Sequence, residues 1–167
     1  MPRLIVMRHA KAIDRLEAED DFERGLTERG REDAARAAEA IREAGLGADH
    51  ALVSPARRTR ETFQTIADAV GNPPVTDPMA LYHASTEMLE RAVLTALSDG
   101  ARSIVLVGHN PGVGGFAHSL AASAQSTKGM PQGWPTSALA AFEIAPAGER
   151  IGASRRLLLV NPRNPSD

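Results

Sequence analysis

The sequence predicts an α/β fold with three layers, in which helices cover both faces of a mostly parallel sheet. Three observations carry that expectation. Residues 4–7 and 103–107 ("SIVLV") are short, unbroken apolar runs, the pattern of strands buried on both faces. Longer stretches of helical period lie between such runs. The two kinds alternate along the chain, as successive βαβ units require.

In order, residues 4–7 are the first strand. Thr27 is the expected N-cap of a helix reaching about residue 44, with Ala34, Ala37, Ala38 and Ile41 on one face and charges on the other. Gly45 and Gly47 end it. A brief strand at 51–53 stops at Ser54 and Pro55, and Pro55 opens a second helix to about residue 70. "GNPP" at 71–74 is a loop. Thr86 is the expected cap of a third helix to residue 97, with Met88, Leu89, Ala92, Val93 and Ala96 inward. After the strand at 103–107, Pro111 opens a fourth helix to about residue 122. Residues 124–136 are rich in Gly, Pro, Ser and Thr and form an irregular loop. Strands at 138–144 and 155–160 close the sheet around the turn "APAGERIG", and the tail at 161–167 frays.

The totals narrow the function. A chain of 167 residues without repeats or long linkers is expected to be one domain, 1–167, with a real core. A net charge of -2 argues against a dedicated nucleic-acid binder. The absence of cysteine excludes disulfide scaffolds, thiolate metal sites and cysteine nucleophiles. No apolar run approaches the ~18 residues of a membrane span, and the first run is too short for a signal peptide. A cytoplasmic protein is expected. A monomer is expected too, since nothing long, flat and strongly apolar suggests an obligate dimer.

Two of the strands run straight into polar chemistry. Arg8 and His9 follow the first strand, and Gly108, His109 and Asn110 follow "SIVLV". Arg57 and Arg58 come just after the strand at 51–53. In open α/β sheets ligands bind beyond the carboxyl ends of the strands. Three strand ends could therefore bring two histidines and at least two arginines to one rim. Arginine forks match phosphate oxygens, a histidine can attack phosphorus, and the helix start after Asn110 favours an anion. Each signal alone is weak. A lone histidine after a strand is more often structural, "RRTR" alone is a solvated helix face, and "GHNPGVGG" lacks the spacing of a nucleotide loop. Among His9, His50, His83, His109 and His118 no H-x-H or H-E-x-x-H spacing occurs, so no metal and no cofactor are expected.

Taken together, the motifs resemble a known family. "VMRHAKA" resembles the Arg-His-Gly motif of the histidine phosphatase (phosphoglycerate mutase-like) superfamily. "VSPARRTRET" and "VLVGHNPGV" resemble its second motif and the segment of its second histidine. "DFERGLTERG" and "PTSALAAFEI" resemble stretches of the small SixA-type phosphohistidine phosphatases. The resemblance implies a phosphoglycerate mutase-like fold with a minimal lid, because residues 62–103 hold little more than one helix. A small lid implies an open site, suited to a protein substrate.

By that resemblance His9 is the nucleophile, Arg8 and Arg58 clamp the phosphoryl oxygens, and His109 completes the pocket. Arg24 and Asp21 fall where the branch has a further Arg and Asp, as substrate contacts or loop organisers, and Asn110 is a further substrate-binding candidate. Glu87 is the best-placed candidate general acid, set against its ordinary role as a first-turn helix carboxylate. Three positions or stretches depart from the pattern. Ala10 replaces the motif glycine, and a left-handed backbone there would be strained. Gly25 replaces a proline, which would loosen its loop. "AKAIDR" lacks the Ser and Asn of mutases.

The leading expectation is a phosphatase with a covalent phosphohistidine intermediate, acting on phosphohistidine of a histidine-containing phosphotransfer domain. The alternatives are a phosphatase of small phosphate esters or sugar phosphates, and a non-catalytic phosphoprotein-binding module.

Overall fold

The computed structural model describes residues 1–163. The strands are β1 (Arg3–Arg8), β2 (His50–Val53), β3 (Val75–Thr76), β4 (Ser103–Gly108), β5 (Leu139–Ala147) and β6 (Arg150–Val160). The helices are α1 (Glu28–Glu43), α2 (Arg57–Ile66), α3 (Thr86–Ser98) and α4 (Gly112–Ser123). One six-stranded sheet has the order β3-β2-β4-β1-β5-β6. The first four strands are mutually parallel, and β5 runs antiparallel to both β1 and β6.

The apolar runs lie at the centre because each strand residue meets a helix layer on one face or the other. Leu4, Val6, Ile104 and Leu106 pack with Val93 of α3 and Phe116 and Leu120 of α4. Their neighbours Ile5, Met7, Val105 and Val107 pack with Ala37 and Ile41 of α1 and Phe63 and Ile66 of α2. This period-2 division between two covered faces is the predicted three-layer arrangement. Among the described residues no helix is long and apolar enough to cross a membrane.

Several boundaries differ from the sequence expectation, each for a local reason. The second helix ends at Ile66, and a 3-10 turn at Asp68–Val70 continues the chain to Gly71, whose φ of 92° closes it. Its cap is Ala56, so Pro55 precedes the helix instead of opening it. The third helix is capped by Ser85, whose Oγ accepts from the Met88 amide at 3.2 Å. Thr86 donates instead to the Gly112 carbonyl at 3.0 Å and ties α3 to α4. Met88, expected to face inward, is exposed. The two-residue β3 is held by pairing to Ala51 and Leu52. Most of "APAGERIG" is strand, because Ala145–Ala147 pair with Arg150–Gly152 and leave only Gly148 and Glu149 to turn, Gly148 at φ 67°. The expected fraying of the tail falls largely on residues 164–167, outside the described residues.

Candidate active site

The order β2-β4-β1 makes the carboxyl ends of three strands neighbours. Arg8 is the last residue of β1, and the His9 amide continues the ladder by donating to the Gly108 carbonyl at 3.0 Å. His109 comes one residue later on the adjacent strand, so the two imidazoles lie 5.3 Å apart between ring centroids. Ser54, just past β2, has its Oγ 2.7 Å from His109 Nε2. Arg58 enters from the first turn of α2. Arg8, His9, Arg58 and His109 share a cavity of about 550 Å³ with Arg24, Tyr82, His83 and Asn110.

His9 is nearly buried, and its Nδ1 lies 2.7 Å from the Ala10 carbonyl. A carbonyl only accepts, so Nδ1 carries the proton and Nε2 keeps the lone pair. Burial pushes the pKa of His9 down to about 3. The Ala10 carbonyl opposes this, and His109, Arg8 and Arg58 add to it. Burial and then Arg58 likewise lower His109 to about 4. Both imidazoles are therefore neutral at pH 7.

The arginines are held from behind. Arg8 Nη1 donates to the Trp134 carbonyl at 2.8 Å. Arg58 Nη1 donates to the Asp21 carbonyl at 2.7 Å and Nη2 to Asp21 Oδ2 at 3.1 Å. The Nε–H groups of Arg8 and Arg58 are buried without a hydrogen-bond partner among the described residues. Such donors are costly to leave unmade, and an oxyanion would satisfy them. Burial lowers the pKa of Arg8, and the charges of Arg163 and Arg58 act in the same direction.

Asp21 is the hub behind Arg58. It also accepts from Arg24 Nη1 at 3.0 Å and from the Tyr82 hydroxyl. Tyr82 first, then Arg24 and Arg58, hold its carboxyl below the usual range against the opposing effect of burial. Arg24 Nε donates to the Ile13 carbonyl at 2.8 Å, and the residue still lines the cavity.

Asn110 lines the cavity while its side chain is engaged elsewhere. Nδ2 donates to the Trp134 carbonyl at 2.8 Å, and Oδ1 accepts from the Gly114 amide at 3.1 Å in the first turn of α4. Trp134 thus offers one carbonyl to both Arg8 and Asn110. Its indole is buried, edge-on to His118 at 5.8 Å.

Glu87 is exposed in the first turn of α3 and is not among the residues lining the cavity. With Thr86 turned onto α4, the next residue, about 100° around the helix, faces solvent. Ala10 is not left-handed: the positive-φ residues other than glycine among those described are Asn72, Gln125 and Ser137. Its amide donates to Thr62 Oγ1 at 2.9 Å. Gly25 lies against Arg57, where a Cβ would come within 2.9 Å of Nε, and its carbonyl accepts from the Ile13 amide, so its loop is fastened.

Sequence reasoning missed Tyr82 and His83, whose rings stack at 4.1 Å. The available signal was the chain's single tyrosine set beside a histidine just before a helix-capping serine. It also missed the Trp134 carbonyl, for which no side-chain motif exists.

The profile of the histidine phosphatase superfamily (branch 1) matches residues 4–80. An uncharacterised protein of Picosynechococcus sp. is 32% identical over 123 residues, covering 71% of this chain and 72% of its own length. The crystal structure of the candidate phosphohistidine phosphatase SixA from Agrobacterium tumefaciens matches with a TM-score of 0.74 at 31% identity, over 84% of this chain and 90% of that one. A protein histidine phosphatase SixA complexed with tungstate has a TM-score of 0.75 over 97% of this chain and 98% of its own, and at 23% identity it speaks for the fold alone. With the ordered motifs gathered at one sheet edge, these matches identify the chain as a member of the histidine phosphatase superfamily, in its SixA-type branch.

Proposed function

We propose that this protein is a metal-independent phosphatase that removes the phosphoryl group from phosphohistidine on a phosphotransfer or signalling protein, through a phospho-His9 intermediate. The observation that carries the reading is a neutral His9 with its Nε2 lone pair available, beside two buried guanidinium Nε–H groups in search of an acceptor. In the first step His9 Nε2 attacks phosphorus and forms an N–P bond. The free ring nitrogen of the substrate takes a proton from water, the P–N bond breaks, and its electron pair returns to the departing imidazole nitrogen. Arg8 and Arg58 neutralise charge on the equatorial oxygens, with His109 at the same wall. In the second step water attacks phospho-His9 and yields a proton to the hydroxide left by the first step, phosphate leaves, and the N–P pair returns to Nε2.

Phosphohistidine is favoured over an ester by what lines the cavity. Among the described residues no carboxylate is in the lining to protonate an alkoxide. A phosphohistidine ring can take a proton on its free nitrogen before the P–N bond breaks and so leave as neutral imidazole, whereas an ester oxygen needs a positioned acid. Glu87→Gln is expected to leave phosphohistidine turnover within about twofold, measured by phosphate release.

The test is phosphate release from a phosphohistidine-bearing phosphotransfer domain, beside a panel of small phosphate esters, for wild type and His9→Ala. The expected result is release from the domain that vanishes in His9→Ala while circular dichroism and Tm stay near wild type. Ester turnover alone would replace the reading with a small-molecule phosphatase. Vanadate binding without any release would replace it with a binding module.

A further inference from the structure

A second cavity, of about 360 Å³, adjoins the phosphoryl site and is lined by Lys11, Arg29, Arg163, Asp33 and Thr136, among others. One chain segment borders both cavities, Arg8 and His9 lining the first and Lys11 the second. Lys11 is two residues beyond His9, and Thr136 is two beyond Trp134, whose carbonyl holds Arg8. The segments zip together, the Ser137 amide donating to the His9 carbonyl at 3.1 Å and the Arg8 amide to the Ala138 carbonyl at 3.0 Å. Arg163 lies near enough to Arg8 for its charge to help lower that residue's pKa.

The charge here contrasts with the rest of the molecule. The chain as a whole carries -2. The linings of the two cavities bring six cations, Arg8, Arg24, Arg58, Lys11, Arg29 and Arg163, against the one carboxylate of Asp33, with Asp21 set behind Arg58. Asp33 is already divided between Arg29 and Arg36. Lys11 and Arg163 form no ion pair among the described residues. One dianionic phosphoryl group needs the inner arginines and leaves Lys11 and Arg163 unmatched.

We propose that the Lys11–Arg29–Arg163 cavity is a docking subsite for carboxylate side chains that flank the phosphorylated residue, so that the partner is an acidic phosphoprotein. This rests on the phosphatase reading and names its substrate class. The three outer cations are exposed, on long flexible stems. That suits the rim of a surface-to-surface contact, where charge steers encounter and sets register, better than the grip of a small bisphosphate.

The test compares wild type with Lys11→Glu/Arg163→Glu on three substrates. These are free phosphohistidine, a phosphohistidine-bearing phosphotransfer domain with Asp and Glu around its histidine, and that domain with the carboxylates changed to Asn and Gln. On the acidic domain the double variant is expected to lose about tenfold in kcat/KM, through KM. On free phosphohistidine and on the neutralised domain it stays within twofold of wild type. Raising the salt shrinks the wild-type advantage. Unchanged kcat/KM on the acidic domain overturns the docking proposal, as does an equal loss on free phosphohistidine, which would assign the two cations to a small-anion site. If wild type releases phosphate from none of the three, the phosphatase reading fails separately. Equilibrium binding of the acidic phosphodomain then decides: tenfold weaker binding by the double variant upholds the docking subsite, and equal binding ends it.

Discussion

Arg58 meets Asp21 twice, through the backbone carbonyl and through the carboxylate, so its guanidinium is fixed before any substrate arrives. On the proposed reading Asp21 is a positioning residue acting through Arg58, Arg24 and Tyr82. Asp21→Asn keeps the shape and removes the charge, and is expected to lower kcat/KM about tenfold. Vanadate affinity should weaken in parallel, and Asp21→Glu should recover part of both losses. Full activity in Asp21→Asn would reduce that carboxylate to a loop fastener. At this scale much of the site was legible. Arg8 ends a strand, His9 and His109 stand directly after strands, and Arg58 stands a few residues after one, so strand ends alone gathered them. Tyr82 was not legible, because it reaches Asp21 from 61 residues away and from a segment with no periodic pattern. Asn110 was legible as a rim residue but not as the group that closes the first turn of α4.

The first turn of α1 is bolted to the segment that carries His9. Thr27 Oγ1 accepts from the Gly30 amide at 2.9 Å and donates to the Lys11 carbonyl at 3.2 Å. Gly30 fits so closely that a Cβ would lie 2.2 Å from that same carbonyl. Gly30→Ala must move backbone, and is expected to destabilise by about 2 kcal/mol. The urea midpoint should fall with the slope unchanged, and turnover should fall with it, since Lys11 is two residues from His9. The cap at Thr27 was readable because a single hydroxyl residue precedes the periodic run. At Ser85 and Thr86 two hydroxyl residues compete, and only packing of Thr86 against α4 decides between them. The β5–β6 hairpin was under-read because Pro146 and Gly148 look like loop residues until antiparallel pairing recruits their neighbours.

Burying two neutral histidines in one site leaves a mark on the stability of the whole molecule. Their ordinary pKa is 6.5, and in the folded protein they lie at about 3 and about 4. As pH falls from about 6.5 toward 4, the unfolded chain takes protons that the folded chain refuses, so stability falls with pH through that window. The slope is about 1.4 kcal/mol per pH unit for each histidine. Urea midpoints between pH 7 and pH 4.5 should show the decline, and a His9→Gln/His109→Gln variant should flatten it. A flat wild-type profile would mean that the imidazoles titrate in the folded state as they do in solvent. The layered sheet was legible at this scale, because unbroken apolar runs can be buried only between two helix layers. The strand order was not, since it depends on which crossover goes to which side. One consequence of the shared Trp134 carbonyl is optical. The chain has a single tryptophan, so all indole emission reports on one buried ring beside His118. An oxyanion that pulls on Arg8 tugs the same residue, so the protein carries its own fluorescent gauge of site occupancy. A vanadate titration should move the emission along a saturable curve, without any added label.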